Sequence, residues 1–199
     1  MVSNPPKNAP GNRFRIIAGQ WRGRRIGYAA GTTARPTGDR VRETLFNWLN
    51  PLVEGTRCLD LFAGSGALGL EALSRGAREV VFVDRDQRLM RSLSENIEKL
   101  GCSNATVYTR SAEKWLETFH SAFDVVFLDP PFGDHVLDNL CKLIGAKDTV
   151  RQGGYCYLEM AATAPTPELP PGWTVLRDKR AGQVRFQLVQ VNGEGRQEQ

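Results

Sequence analysis

The run Asp129-Pro130-Pro131-Phe132 carries the most specific chemistry in the chain. Two successive prolines fix φ and remove N–H donors, which leaves a stiff turn whose carbonyls face outward as acceptors. A carboxylate in such a turn suits the exocyclic amine of a nucleic-acid base. The Asp129 side chain and the Pro130 carbonyl would hold the N–H bonds and favour a pyramidal nitrogen. Pro131 stiffens the turn, and Phe132 would stack on the base, a contact worth roughly 1–3 kcal/mol. No strong general base is needed, because the amine becomes acidic only as it gains its new substituent. Catalysis would rest on positioning and electrostatics. A base within structured RNA would also have to be turned outward.

A second constellation supplies the partner for that amine. Asp60-Leu61-Phe62-Ala63-Gly64-Ser65-Gly66-Ala67-Leu68-Gly69 leaves a strand and opens a helix, where a glycine-rich turn binds nucleotide-like ligands. Twenty residues after Gly64, Asp84 ends the next strand, where a carboxylate can accept from both ribose hydroxyls. A carboxylate at Asp60 would repel the pyrophosphate of NAD, but it can pair with the α-ammonium of S-adenosylmethionine. The candidate donor is therefore S-adenosylmethionine, with S-adenosylhomocysteine as product, and Phe62, Gly64, Gly66 and Asp84 join Asp60 as its contacts. Asp86 competes with Asp84 as a carboxylate that caps the following helix.

The elements that position these groups alternate. Strands are expected at residues 57–62, 79–84, 106–109, 123–128 and 155–159, with helices at 67–74, 87–100, 112–119 and 136–144 between them. Such alternation means a parallel sheet with helices on both faces, and it puts both constellations at the carboxyl ends of strands. Residues 174–180 and 183–191, separated by little more than Gly182, form an antiparallel hairpin on the sheet edge. Residues 14–17 and 24–28 flank Gly19 to Gly23 and predict a separate basic hairpin ahead of the main domain. A helix opens at 37–39, with Val41, Leu45, Trp48 and Leu49 on its core face and Arg40 and Glu43 off it. The expected organisation is a tail at 1–12, the basic extension at 13–36, the main domain at 37–191, and a second tail at 192–199.

Charge is concentrated in the front of the chain. Residues 1–42 hold nine of the 26 Lys/Arg but one acid, Asp39, so the rest of the chain, which holds the other 21 of its 22 acids, is mildly acidic. A polycationic front with Phe14, Ile16, Ile17 and Trp21 interleaved suits a phosphate backbone. Cysteines 58, 102, 141 and 156 include no C-x-x-C pair and have only two histidines to join them, so neither a metal site nor a disulfide is expected. No stretch approaches the roughly 20 apolar residues of a membrane span, and the start has no apolar signal core, so a cytoplasmic protein is expected.

D-P-P-F resembles the motif of class I methyltransferases that modify exocyclic or amide nitrogens. More narrowly, the chain resembles the RsmD family of 16S ribosomal RNA guanine-N2 methyltransferases. The resemblance rests on the segments 15–24 (RIIAGQWRGR) and 35–49 (RPTGDRVRETLFNWL), on the glycine loop, on D-P-P-F and on Ala181-Gly182-Gln183-Val184. It implies a Rossmann-like, seven-stranded, mostly parallel sheet and methyl transfer to the N2 of a guanine in 16S rRNA, within a small subunit or assembly intermediate. It places Asp129, Pro130, Pro131 and Phe132 at the transfer and Ser111 and Ala112 near the adenine, where relatives often carry an acid or amide. Arg35, Thr37, Arg40 and Arg42 would lie beside the target, with Arg22, Arg24 and Arg25 of the hairpin on the RNA. A monomer is expected, since nothing suggests an extended apolar interface. The alternatives are an adenine-N6 methyltransferase, a glutamine-N5 protein methyltransferase, which the basic front disfavours, and an RNA-binding assembly protein to which the donor is incidental.

Overall fold

The computed structural model describes residues 12–29, 38–131 and 136–192. Most of the expected tails at 1–12 and 192–199, and residues 30–36 of the extension, lie outside them. Among the described residues nine strands and five helices follow in order: β1 (Arg13–Arg15), β2 (Arg25–Gly27), α1 (Asp39–Leu49), β3 (Arg57–Asp60), α2 (Ala67–Ser74), β4 (Glu79–Asp84), α3 (Gln87–Lys99), β5 (Ala105–Thr109), α4 (Ala112–Thr118), β6 (Phe123–Leu128), α5 (Val136–Ala146), β7 (Val150–Ala161), β8 (Trp173–Ala181) and β9 (Val184–Val191). β1 and β2 pair antiparallel, and the other seven strands form one sheet in the order β5-β4-β3-β6-β7-β9-β8. The first five of these are parallel neighbours, while β9 runs antiparallel to both β7 and β8.

Both faces of the central strands are buried, as their near-continuous apolar runs require. Cys58, Val80, Phe82, Val125, Phe127 and Tyr157 face one core with α1, α2, α3 and the hairpin. Leu59, Val81, Val83, Val126 and Leu158 face the other, with α4 and α5. β3 ends at Asp60, two residues earlier than expected, because the loop turns sharply where the Gly66 N–H donates to Ala63 O at 2.6 Å. β7 starts five residues earlier than expected, at Val150, across an irregularity opposite Phe123 and Val125. Trp48 is half-buried and packs tilted against Phe186, ring centroids 5.2 Å apart, whereas Phe46, not expected in the core, is fully buried beside Phe127.

The N-terminal hairpin is mounted on α2. The Glu71 carboxylate accepts from the Ile17 N–H at 2.8 Å, the Ala18 N–H at 3.0 Å and Arg75 Nε at 2.7 Å. Ser74 adds three bonds: Trp21 N–H to its Oγ, its hydroxyl to Ala18 O, and Gln20 N–H to its carbonyl. Phe14, Ile16, Trp21 and Ile26 complete the seal as part of the first core. Arg42 is the correction here. Rather than facing RNA, it is wholly buried, donating to Arg15 O at 2.9 Å and Asp39 Oδ1 at 2.5 Å with its guanidinium 5.1 Å from the Phe14 ring. Val41, Leu45 and Leu49 are buried in the first core, and Arg42 and Phe46 are buried beside them.

Gly19 allows the close approach. Its φ is +82°, and a Cβ there would stand 1.7 Å from the Ser74 carbonyl oxygen. Gly23 shares the same φ but has nothing near its Cβ position. Gly19→Ala should therefore cost about 2–4 kcal/mol of stability in urea unfolding, and Gly23→Ala only about 1–2 kcal/mol. Equal losses would show that the close contact with α2 contributes nothing.

Candidate active site

Alternation along the strands produces a row of carboxyls. Cys58, Phe82, Phe127 and Tyr157 all face the first core, so two residues on, Asp60, Asp84, Asp129 and Glu159 lie on that same face, the first two at the ends of their strands, Asp129 just past the end of β6 and Glu159 two residues before the end of β7. Their strands are consecutive in the sheet, in the order β4, β3, β6, β7. With about 4.8 Å between neighbouring strands, the row spans on the order of 14 Å. Asp60 lies deepest, at 2% exposure, because it pairs in register with Phe82 and Phe127 and thus sits one step below Asp84 and Asp129.

Each carboxyl has a defined environment. Asp60 Oδ2 accepts from the Gly69 N–H at 3.0 Å, satisfying one of the free donors in the first turn of α2. Asp84 grips the loop from the other side: Oδ2 accepts from the Gly64 N–H at 2.9 Å and Oδ1 from the Asp86 N–H at 2.8 Å. Asp86 itself caps α3, accepting from the Arg88 and Leu89 N–H groups. Gly64 and Gly66 have positive φ, and a Cβ at Gly66 would stand 2.4 Å from Leu93 Cδ1. Gly69 packs so closely on Phe82 that a Cβ would come within 2.2 Å. Phe62 is half-buried in the same loop. Ser111 takes the N-cap position of α4, without a side-chain capping bond, beside buried Ala112, and the Arg110 N–H donates to Asp84 O at 2.9 Å, drawing that helix start to the same rim.

Asp129 is half-buried, Pro130 buried and Pro131 exposed; Phe132 lies outside the described residues. Glu159 was not anticipated from sequence. It is 5% exposed, one step past the Leu128–Leu158 pair, and receives the Tyr157 hydroxyl at 2.6 Å. A charged residue closing an apolar strand was the available signal. Arg22, Arg24, Arg25 and Arg40 are exposed, whereas Arg35 and Thr37 lie outside the described residues.

The row is electrostatically unbalanced. Burial pushes the Asp60 carboxyl up to about 7 against the pull of the Gly69 N–H, and the charges of Asp129 and Asp84 add to the rise. Glu159 is pushed up to about 8, first by burial and then by Asp129, with the Tyr157 hydroxyl opposing. No Lys or Arg forms an ion pair with Asp60, Asp84 or Glu159 among the described residues. Such a cradle fits a cationic ligand and disfavours a phosphate-bearing one.

A family model described as Conserved hypothetical protein 95 matches residues 14–190. Ribosomal RNA small subunit methyltransferase D of Escherichia coli strain K12 is 39% identical over 190 residues, 96% of each chain. Its namesake in Haemophilus influenzae is 42% identical over 189 residues, 92% of this chain and 96% of the relative. The protein belongs to the RsmD family. Among solved structures, a putative methyltransferase from Escherichia coli superposes with a TM-score of 0.85 at 40% identity, covering 91% of this chain and 99% of its own. The seven-stranded methyltransferase sheet that the sequence implied is thus the fold of this RsmD-family chain.

The raised carboxyls make a pH prediction. Between their ordinary values near 4 and the folded values of about 7 and about 8, the folded chain keeps protons that the unfolded chain has lost. Their contribution to stability is therefore fully present below about pH 4 and lost as pH rises through about pH 7 to 8. The urea midpoint of the ligand-free protein should fall between about pH 5 and about pH 9, and Glu159→Gln should flatten part of that fall. A variant curve parallel to wild type would place the charge of Glu159 elsewhere.

Proposed function

We propose that the protein transfers a methyl group from S-adenosylmethionine to the exocyclic N2 of a guanine in 16S ribosomal RNA. The substrate would be met in the small subunit or an assembly intermediate, by a monomer in the cytoplasm. The observation that carries this reading is the row of carboxyls running from the glycine loop to the Asp129-Pro130 turn, in which Asp60, Asp84 and Glu159 form no ion pair with a Lys or Arg among the described residues. S-adenosylmethionine supplies an electrophilic methyl on a sulfonium and carries an α-ammonium but no phosphate, so its charge complements the row.

Asp60 and Asp84 would serve the donor, the first toward the ammonium and the second toward the ribose, while both continue to hold the loop backbone. Phe62, Gly64, Gly66, Ser111 and Ala112 would complete its walls. Asp129 and the Pro130 carbonyl would accept the amine N–H bonds, so that the nitrogen lone pair attacks the methyl carbon as the carbon–sulfur bond breaks. The extra proton on nitrogen then leaves to Asp129 or to water. Pro131 keeps the turn rigid, and Phe132 is assigned the base-stacking role. Arg22, Arg24, Arg25 and Arg40 are the exposed bases proposed for the phosphate backbone, with Arg35 and Thr37 assigned to the target's surroundings.

Mass-spectrometric nucleoside analysis of 16S rRNA from cells lacking the protein tests the assignment. One N2-methylguanosine should disappear, return with wild type and fail to return fully with Asp129→Ala. In vitro, Asp129→Ala should slow transfer about 10- to 150-fold with donor affinity little changed. An unaltered guanosine profile would remove guanine as the target, and loss of a methyladenosine would move the assignment to adenine N6.

A further inference from the structure

We propose that β8 carries a second phosphate-binding surface, so that RNA is gripped on both sides of the transfer site. This rests on the RNA reading above and adds to it a surface at the far end of the sheet from β5. β8 is an edge strand, and residues 174–180 are all exposed.

Cross-strand partners point to the same face of a sheet. Arg177 pairs with Leu188 and Lys179 with Phe186, and both partners belong to the core beneath α1 and the basic hairpin. Asp178 and Arg180 pair with Gln187 and Arg185 and so take the opposite face. There Asp178, the one acid of β8, is already held by Arg185 and Gln187. Arg177 and Lys179 form no ion pair with an acid among the described residues. The charges that β8 carries on the face it shares with the hairpin are therefore all positive.

The surface also lies at the right end of the molecule. Glu159 pairs with Phe186, Ala161 with Val184, and the Ala162 N–H donates to Gln183 O at 2.8 Å. These contacts put the β8–β9 turn just past the carboxyl end of β7, on the rim that holds Asp129. Three strand spacings, about 15 Å, separate β8 from β6, close enough for one RNA to touch both. Between hairpin and β8 stands α1, packed through Trp48 against Phe186 and carrying exposed Arg40. Hairpin, α1 and β8 thus make one basic face of three elements.

The test is steady-state methyl transfer to small ribosomal subunits from cells lacking the protein, measured against salt with the donor saturating. Arg177→Glu/Lys179→Glu should raise KM for subunits about ten-fold at low salt and reduce the log–log salt slope by about 2. Its kcat and donor affinity should stay at wild-type values. Arg180→Glu, on the other face, should change KM little. An unchanged KM and slope in the double variant, beside an active wild type, would overturn the surface and leave the charges as guards against edge pairing. An Arg180→Glu effect as large as that of the double variant would overturn it too. A wild type inactive on these subunits would instead overturn the RNA reading on which the surface rests.

Discussion

Four carboxyls in a row, three of them without an ion-pair partner among the described residues, are the condition around which this molecule is arranged. A buried charge must be paired, hydrogen-bonded or neutralised by a proton. Here Asp60 and Asp84 are stabilised by backbone N–H groups of the very loop they shape, and Asp60 and Glu159 hold on to protons well above the usual carboxyl range. The protein therefore leaves part of its electrostatic balance to be supplied from outside. A donor that is itself positively charged supplies it, and charge complementarity and glycine-loop geometry then select the same molecule.

The other organising feature is α2, only eight residues long. Its amino end receives the glycine loop, and its flank receives the basic hairpin through Glu71 and Ser74. The element proposed to meet RNA and the element proposed to meet the methyl donor are thus fixed to opposite parts of one rigid rod. Arg42 adds a tie from α1 to the hairpin backbone. The hairpin is not an appendage on a linker, because its apolar residues are part of the main core.

Sequence revealed what depends on local pattern. The alternation of strands and helices, the position of D-P-P-F at a strand end, and the helix starts at Gln87 and Ala112 follow from periodicity and capping within a few residues. It hid what depends on partners far along the chain. Glu71 meets the hairpin across more than fifty residues, and nothing near it in sequence marks it as a mount. Arg42 looked like its basic neighbours because the side of α1 it faces is decided by where the hairpin docks. Glu159 lies near the end of an ordinary apolar strand, and only the sheet order brings it beside Asp129.

The way Glu71 holds the hairpin has an evolutionary consequence. Within the hairpin, the Glu71 carboxylate and the hydroxyl of Ser74 touch only main-chain atoms of residues 17, 18 and 21, groups that every residue but proline offers alike. Attachment is therefore blind to most of the side chains it presents. Arg22, Arg24 and Arg25 can drift, or be exchanged wholesale, without loosening the ribbon, provided Gly19 and the few buried anchors remain. A methyltransferase built this way can acquire a new target by rewriting its outer surface while its catalytic machinery stays untouched.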